Sequence, residues 1–148
     1  MKKYLLSSLY INYTLTAKQN QTMEISSTDF ETKSPQELIQ WTIDQYGLKA
    51  GLACSFGMED MILIDMVAKL KGPITIFTLD TGRLHEETYE IMEKVRSYYG
   101  LEIKTYFPNL EQVEKLVQKK GFFSFRESIE NRKECCAIRK IEPLNRAL

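Results

Sequence analysis

Strand-like and helix-like stretches alternate along most of this sequence, and the alternation limits the folds open to it. A first helix is predicted over 35–47, and three pairs of a short strand and a longer helix follow. The predicted strands are KAGLACS (49–55), PITIFTLDT (73–81) and LEIKTYFP (101–108), and the predicted helices after them are MEDMILIDMVAKLKG (58–72), HEETYEIMEKVRSYYG (85–100) and NLEQVEKLVQKKG (109–121). Strands joined by helical crossovers pair in parallel, so the sequence predicts an α/β fold with a three-layer, mostly parallel sheet.

Bulk properties exclude several classes of partner. With 148 residues and 43% hydrophobic content, the chain is long enough for one packed domain and too short for two comfortable ones. Lys and Arg balance Asp and Glu at 20 each, so no overall field attracts nucleic acid or an anionic membrane. No apolar run approaches the length of a membrane span. We expect a cytoplasmic protein without nucleic-acid or membrane partners; a homo-oligomer is left open.

The first 22 residues differ from the rest of the chain. Two lysines followed by YLLSSLYI weakly resemble a signal peptide, but Asn12 interrupts the apolar region, and Met23 begins a segment typical of an ordinary N-terminus. We expect residues 1–22 to be a disordered or non-native extension. We expect residues 23–148 to form the α/β domain.

The cysteines indicate metal or redox chemistry. Their odd number, three, and their spacing do not fit a disulfide framework, which favours a reducing compartment. Cys54 lies on the first predicted strand, where a buried thiol packs as a small apolar side chain. Cys135 and Cys136 lie side by side in the basic stretch NRKECCAIRK, where packing gives no reason for two thiols. Neighbouring cations lower the pKa of a thiol, so this pair suits metal or redox use.

Two loops after predicted strands are candidates for ligand binding, because ligands of such sheets bind beyond the carboxyl ends of the strands. SFGMED offers the Ser55 hydroxyl, the small Gly57 and the free N–H groups of a helix start, which attract phosphate or sulfate. LDTGR offers Arg83, whose planar fork suits an oxyanion, and Asp80, which either caps the turn or accepts a ribose hydroxyl. Each loop, taken alone, is also compatible with a turn that binds no ligand. His85, the only histidine, is predicted to be a surface residue at a helix start.

Four segments, taken in order, resemble the assimilatory sulfonucleotide reductases, which are the adenylyl-sulfate and 3′-phosphoadenylyl-sulfate reductases. The segments are SFGMEDMILIDM, IFTLDTGRLHEETYE, VRSYYGLEIKTYFPN and ECCAIRKIEPLNRAL, and the resemblance extends over roughly Gly51 to Leu148. It implies the adenine-nucleotide α-hydrolase type of parallel sheet. It also implies the reduction of adenylyl sulfate, or of 3′-phosphoadenylyl sulfate, to sulfite and AMP or PAP, with thioredoxin as the reductant in sulfate assimilation.

The resemblance further implies which residues bind the sulfonucleotide. SFGMED corresponds to the family's modified pyrophosphate loop, LDTGR completes the nucleotide site, and basic residues after the cysteines add positive charge near the sulfate. The implied substrate-binding residues are Ser55, Phe56, Gly57, Glu59, Asp60, Leu79, Asp80, Thr81, Gly82, Arg83, Arg139 and Lys140. Glu59 and Asp60 would also interact favourably with the dipole of the helix predicted over 58–72, because they lie in its first turn.

The paired cysteines resemble half of an iron–sulfur ligand set. Family members that reduce adenylyl sulfate carry Cys-Cys and a later Cys-x-x-Cys, which together hold a [4Fe–4S] cluster. The resemblance therefore implies Cys135 and Cys136 as two ligands, and it favours adenylyl sulfate or dual specificity. In an α-helix they would lie one turn from Arg139 and Lys140, respectively. The second pair and the family's C-terminal nucleophilic cysteine do not occur in the 148 residues. We expect a truncated form that binds a sulfonucleotide without reducing it.

Two alternatives stay open. An ATP pyrophosphatase of the same superfamily would carry a Ser-Gly-Gly-x-Asp-Ser loop, whereas here Phe56 follows Ser55 and no serine follows Asp60. The other alternative is a non-catalytic nucleotide- or metal-binding module, whose two cysteines share a metal with another chain.

Overall fold

The computed structural model describes residues 9–11 and 31–148. The strands are β1 (Leu9–Ile11), β2 (Ala50–Ala53), β3 (Thr75–Leu79) and β4 (Ile103–Tyr106). The α-helices are α1 (Pro35–Tyr46), α2 (Met58–Leu70), α3 (Glu86–Tyr99), α4 (Leu110–Lys120), α5 (Ile129–Cys136) and α6 (Glu142–Ala147). Two 3₁₀ turns, Gly47–Lys49 and Ser124–Arg126, and a π-helical turn, Ala137–Ile141, complete the described structure. Every helix and strand predicted above between residues 35 and 121 is present.

The described strands form one sheet in the order β1-β2-β3-β4. β2, β3 and β4 run parallel. β1 pairs antiparallel with β2, with Leu9 opposite Leu52 and Ile11 opposite Ala50. Parallel neighbours need long crossover connections, which α2 and α3 provide between the successive strands. The predicted α/β class with a mostly parallel sheet is confirmed.

Local sequence signals set the ends of the helices. The Ser34 hydroxyl accepts a hydrogen bond from the backbone N–H of Glu37 at 3.3 Å, and the Glu37 carboxylate accepts one from the Ser34 N–H at 2.6 Å. The Ser34 hydroxyl also donates to the Glu37 carboxylate at 2.7 Å, and this bond foremost, together with the one from the Ser34 N–H, holds the pKa of Glu37 below its usual value. Gly100 ends α3 with a left-handed φ of 63°. Asn109 begins α4 by accepting from the N–H of Gln112 at 3.0 Å.

The described residues divide into two compact units. Unit 1 comprises the described residues up to Ala53 together with Gly57–Ile76, and unit 2 comprises Cys54–Phe56 together with Phe77–Leu148. The buried apolar residues of unit 1 are Leu38, Ile39, Ala50, Leu52, Leu63, Ile64, Val67 and Ile76. Those of unit 2 are Cys54, Phe56, Phe77, Val95, Leu116, Cys135 and Pro143.

The N-terminal expectation is largely outside the described residues. Of residues 1–22, the structure describes only Leu9–Ile11, which form β1. The sequence did not predict this strand, and the division at residue 22 stays a prediction. Among the described residues, no helix is both long and apolar enough to cross a membrane.

Candidate functional site

The turn after β3, Asp80–Arg83, is organised around a buried carboxylate. Asp80 is 3% exposed. Its Oδ1 accepts from the N–H of Gly82 at 2.7 Å, and its Oδ2 accepts from the hydroxyl of Tyr89 at 2.9 Å. The N–H of Asp80 donates to the carbonyl of Tyr106 on β4 at 2.9 Å. Of the two roles open to Asp80, the capping of its own turn is the one seen here.

Tyr89 connects this turn to α3, the helix that follows it. The hydrogen bond that its phenol donates to Asp80 raises the pKa of Tyr89 above its usual value, because that bond and the nearby carboxylate both favour the protonated phenol. The sequence offered no signal for this residue. Tyr89 lies in the first turn of α3, nine positions after Asp80, and only the fold brings the two together.

Arg139 approaches the same turn from the other end of the sequence. It is 7% exposed, and its Nη1 donates to the carbonyl of Thr81 at 2.6 Å. A Cβ added to Gly82 would lie 3.3 Å from that nitrogen, so glycine is what permits the close approach. Gly82 also has a φ of 69°, which side chains disfavour. The structure thus brings predicted residues of LDTGR together with a predicted residue from the cysteine segment.

The charge on Arg139 is not neutralised within the described residues. No carboxylate among them forms an ion pair with its guanidinium, and its Nε is buried without a hydrogen-bond partner. A buried cation without a counter-charge is costly, and its electrostatic field favours an anion nearby. The buried, positively charged guanidinium therefore makes the Thr81–Gly82 turn a suitable place for an oxyanion to bind.

A π-helical turn sets the position of Arg139. α5 ends at Cys136, and residues Ala137–Ile141 continue it as a π turn. Pro143 lacks the N–H that would bond the carbonyl of Arg139 four residues earlier, which favours such a local rearrangement. The one-turn spacing considered for an α-helix therefore does not apply beyond Cys136, where the π turn begins. Arg139 is buried, whereas Lys140 is exposed.

Arg83 contacts a different segment. It donates through Nη2 to the carbonyl of Phe122, and its guanidinium carbon lies 4.7 Å from the ring centroid of Phe125 and 5.8 Å from that of Phe123. The Arg83 guanidinium, which was predicted to bind an oxyanion, thus contacts a backbone carbonyl and aromatic rings instead. Sequence reasoning missed these phenylalanines, although FFSFR combines aromatic and basic residues.

The turn after β2 lies partly in unit 2. Phe56 adopts a left-handed φ of 63° and is 6% exposed, and its N–H donates to Cys54 Sγ at 3.3 Å. Ser55 is exposed. Gly57 has a φ of −69°, which any residue can adopt, and it caps α2. The unusual backbone of SFGMED is therefore at the phenylalanine.

The remaining predicted residues of SFGMED belong to unit 1. Glu59 and Asp60 lie in the first turn of α2, where the helix dipole favours negative charge. Glu59 is exposed and Asp60 is 8% exposed. On β3, Leu79 is half-buried. His85 is exposed at the N-cap of α3, as predicted.

None of the three cysteines forms a disulfide. Cys54 and Cys135 are buried, and Cys136 is half-buried. Within 9–11 and 31–148, no group of three or more His, Cys, Asp or Glu side chains could hold a metal ion. Two thiols have the right donor chemistry for iron, but they do not make a four-thiolate site by themselves.

A groove of about 940 Å³ in unit 2 has none of the predicted site residues in its lining. It is lined by residues of α4, α5, the π turn and α6, namely Gln112, Lys115, Leu116, Gln118, Lys119, Glu134, Ala137, Ile138 and Glu142. None of them was predicted to bind the substrate, and the groove is the natural competing location for a ligand.

Known proteins resemble this chain over most of its length. Residues 49–148 match the family model described as the phosphoadenosine phosphosulfate reductase domain. An adenosine 5′-phosphosulfate reductase of Pseudomonas aeruginosa is 44% identical over 116 residues, which are 78% of this chain and 42% of that protein. A probable chloroplastic 5′-adenylylsulfate reductase 1 of Oryza sativa is 42% identical over 126 residues, covering 84% of this chain and 26% of that protein.

A solved structure agrees with the sequence matches. The phosphoadenylyl-sulfate reductase of Candida auris, in a phosphate complex, has a TM-score of 0.65 and 26% identity, and the match covers 78% of this chain and 55% of that one. This chain spans less than half the length of the two relatives named above, 42% and 26%. With its parallel sheet and its match over residues 49–148, the chain belongs to the phosphoadenosine phosphosulfate reductase domain family.

Proposed function

We propose that this chain forms the nucleotide-binding part of a sulfonucleotide reductase and binds adenylyl sulfate, or 3′-phosphoadenylyl sulfate, at the turn after β3. Family membership supports the substrate class. The names of the Pseudomonas and Oryza relatives favour adenylyl sulfate. Because the chain spans 42% and 26% of those relatives, binding is the step that the proposal assigns to the described residues.

One observation carries the proposal: the buried guanidinium of Arg139 at the Thr81–Gly82 turn. Its Nη1 reaches the Thr81 carbonyl at 2.6 Å, and no carboxylate among the described residues neutralises it. A sulfate ester or a phosphate placed beside this turn would supply the missing negative charge. Gly82 is exposed and carries no side chain, so a ligand can approach its backbone closely.

Other residues have supporting roles in the proposal. Lys140 is exposed beside Arg139 in the sequence and adds mobile positive charge for the same anion. Ser55, exposed after β2, offers a hydroxyl. The family's motifs would complete the proposed set with Phe56, Gly57, Glu59, Asp60, Leu79 and Asp80, whereas Arg83 belongs to the same motif but donates to the carbonyl of Phe122.

The proposed reaction is a reductive group transfer. A cysteine thiolate attacks the sulfur of the bound ester, the bond from sulfur to the phosphate oxygen breaks, and AMP leaves with that electron pair. The dithiol of thioredoxin then reduces the S-sulfocysteine, releasing sulfite and becoming a disulfide. Arg139 and Lys140 would stabilise the charge that develops on the departing phosphate. The proposal does not assign the attacking thiol to Cys54, Cys135 or Cys136, the only cysteines of the sequence.

Cys135 and Cys136 are proposed as two ligands of a [4Fe–4S] cluster. Cys135 and Cys136 are half of the four thiolates that such a cluster takes. The cluster would require a reducing compartment, which is why the proposal includes a cytoplasmic location.

Isothermal titration calorimetry with adenylyl sulfate tests the proposal. The wild-type chain should bind, and Arg139→Met should weaken binding about thirtyfold, as expected when a charge-assisted interaction is lost. Arg132→Met is the matched control, because Arg132 is an exposed arginine on the same helical segment. Equal affinity for the wild type and Arg139→Met, or no binding by the wild type at millimolar ligand, would contradict the proposal.

A further inference from the structure

Arg83 differs from Arg139 in what its guanidinium touches. Its edge donates to the Phe122 carbonyl, and its carbon lies 4.7 Å from the Phe125 centroid, within the range of a cation–π contact. No carboxylate among the described residues forms an ion pair with it. Both the edge and one face of the guanidinium are thus committed to a segment 39 positions away in sequence.

That segment is a firm anchor. The Ser124–Arg126 turn is closed by backbone hydrogen bonds from the N–H of Arg126 to the carbonyl of Phe123 at 2.9 Å, and from the N–H of Glu127 to that of Ser124 at 3.0 Å. The hydroxyl of Ser124, which is 3% exposed, donates to the carbonyl of Gly121 at 3.3 Å. The shape of this turn is therefore maintained by hydrogen bonds that do not involve Arg83.

A second arginine lies on the same rings. The guanidinium carbon of Arg126 is 4.7 Å from the centroid of Phe123 and 5.5 Å from that of Phe125. Among the described residues, however, Arg126 donates no side-chain hydrogen bond to the Asp80–Arg83 turn. We call Arg83, Phe123, Phe125 and Arg126 the Arg–Phe cluster. Among the described residues, Arg83 is the member of this cluster that also belongs to the Asp80–Arg83 turn.

We propose that Arg83 is a positioning residue, which fixes the Asp80–Arg83 turn by fastening it to Phe122 and Phe125, and not a residue that contacts the ligand. This inference rests on the proposed function for its ligand. Moving the guanidinium to an anion at the turn would sacrifice the carbonyl contact and the stacking on Phe125. Arg83 instead leaves the ligand contact to the backbone of the turn and to Arg139.

A double-mutant cycle on AMP binding separates the two roles. Arg83→Met and Phe125→Leu should each weaken binding about tenfold, and the double variant should also lose about tenfold, because both break one connection. Arg126→Met, which leaves that connection intact, should bind AMP like the wild type. If Arg83 contacts the anion directly, Phe125→Leu binds normally and the proposal fails.

Amide hydrogen exchange gives a readout that needs no ligand. In the free protein, the amide of Gly82, which donates to Asp80, should exchange about tenfold faster in Arg83→Met and in Phe125→Leu, while the amides of β3 keep wild-type protection. Unchanged amide exchange in the turn would overturn the positioning role, irrespective of the result for AMP binding. If the wild type binds neither AMP nor adenylyl sulfate while exchange is faster in the two variants, the proposed function fails and the positioning role is supported.

Discussion

Two turns of unit 2, Cys54–Phe56 and Asp80–Arg83, reach a left-handed backbone conformation by different means. In the first, Phe56 has a φ of 63° and is 6% exposed, so burial of the ring offsets a steric cost of about 1–2 kcal/mol. In the second, exposed Gly82 has a φ of 69° and no Cβ to strain, and the Asp80 carboxylate fixes it by a hydrogen bond at 2.7 Å. Packing holds the first turn and hydrogen bonds hold the second, so substitutions should affect them differently.

The largest effect is expected at Phe56. Phe56→Ala should lower the free energy of unfolding by about 3–5 kcal/mol, because the buried ring is lost while the left-handed strain stays. Phe56→Gly should be more stable than Phe56→Ala by about 1 kcal/mol, the reverse of the usual order, because glycine removes that strain. Urea denaturation of both variants measures the difference. If the alanine variant is the more stable, position 56 carries no left-handed strain of this size.

Asp80 should show the next largest effect. Asp80→Ala leaves the N–H of Gly82 and the hydroxyl of Tyr89 without their acceptor, which should cost about 2–3 kcal/mol in urea denaturation. Asp80→Asn keeps one acceptor oxygen and the same shape, so it should lose less. Equal losses for the two variants would argue that the charge matters in this turn and the hydrogen bonds do not.

Gly82→Ala tests the close approach of Arg139. Strain alone should cost about 1–2 kcal/mol, and Gly100→Ala is the control for it, since Gly100 has a φ of 63° and nothing lies within 4 Å of its Cβ position. The excess cost at Gly82, from the contact with Nη1 of Arg139 at 3.3 Å, should disappear in an Arg139→Met background. An excess that survives there would place its cause elsewhere.

The smallest effect concerns pH. The pKa of Tyr89 is raised in the folded protein, so its hydrogen bond to Asp80 contributes stability that is complete below the unfolded value of 10.0 and is lost as pH rises through the folded value. Unfolding followed between pH 8 and 11 should therefore show a steeper decline in wild type than in Tyr89→Phe. Tyr98→Phe, at an exposed tyrosine, should follow the wild type. Parallel curves for wild type and Tyr89→Phe would remove this contribution.

Local signals made the scaffold predictable. Ser34 with Pro35, Asn109 and Gly100 each act within one helical turn, and the structure uses each of them as the sequence predicts. Strand–helix alternation gave the parallel sheet for the same reason, since crossover spacing depends on chain geometry.

The site was less predictable because it depends on distant contacts. Arg139 meets Thr81 across 58 positions, and its burial depends on a π turn whose only sequence signal is Pro143. Phe56 adopts a conformation that its own propensity opposes, and burial decides the outcome. The motifs named the residues near the turn, but they did not distinguish Arg139, which is buried, from Arg83, which is stacked on rings.

An NMR titration of the ¹⁵N-labelled chain with adenylyl sulfate tests the central claim most directly, because it shows where the anion binds. The account predicts that the amide signals of Thr81, Gly82 and Arg83 shift most, and that these shifts are lost in Arg139→Met. Shifts centred on the groove residues Gln112, Lys115 and Lys119, with the Asp80–Arg83 turn unchanged, would contradict it.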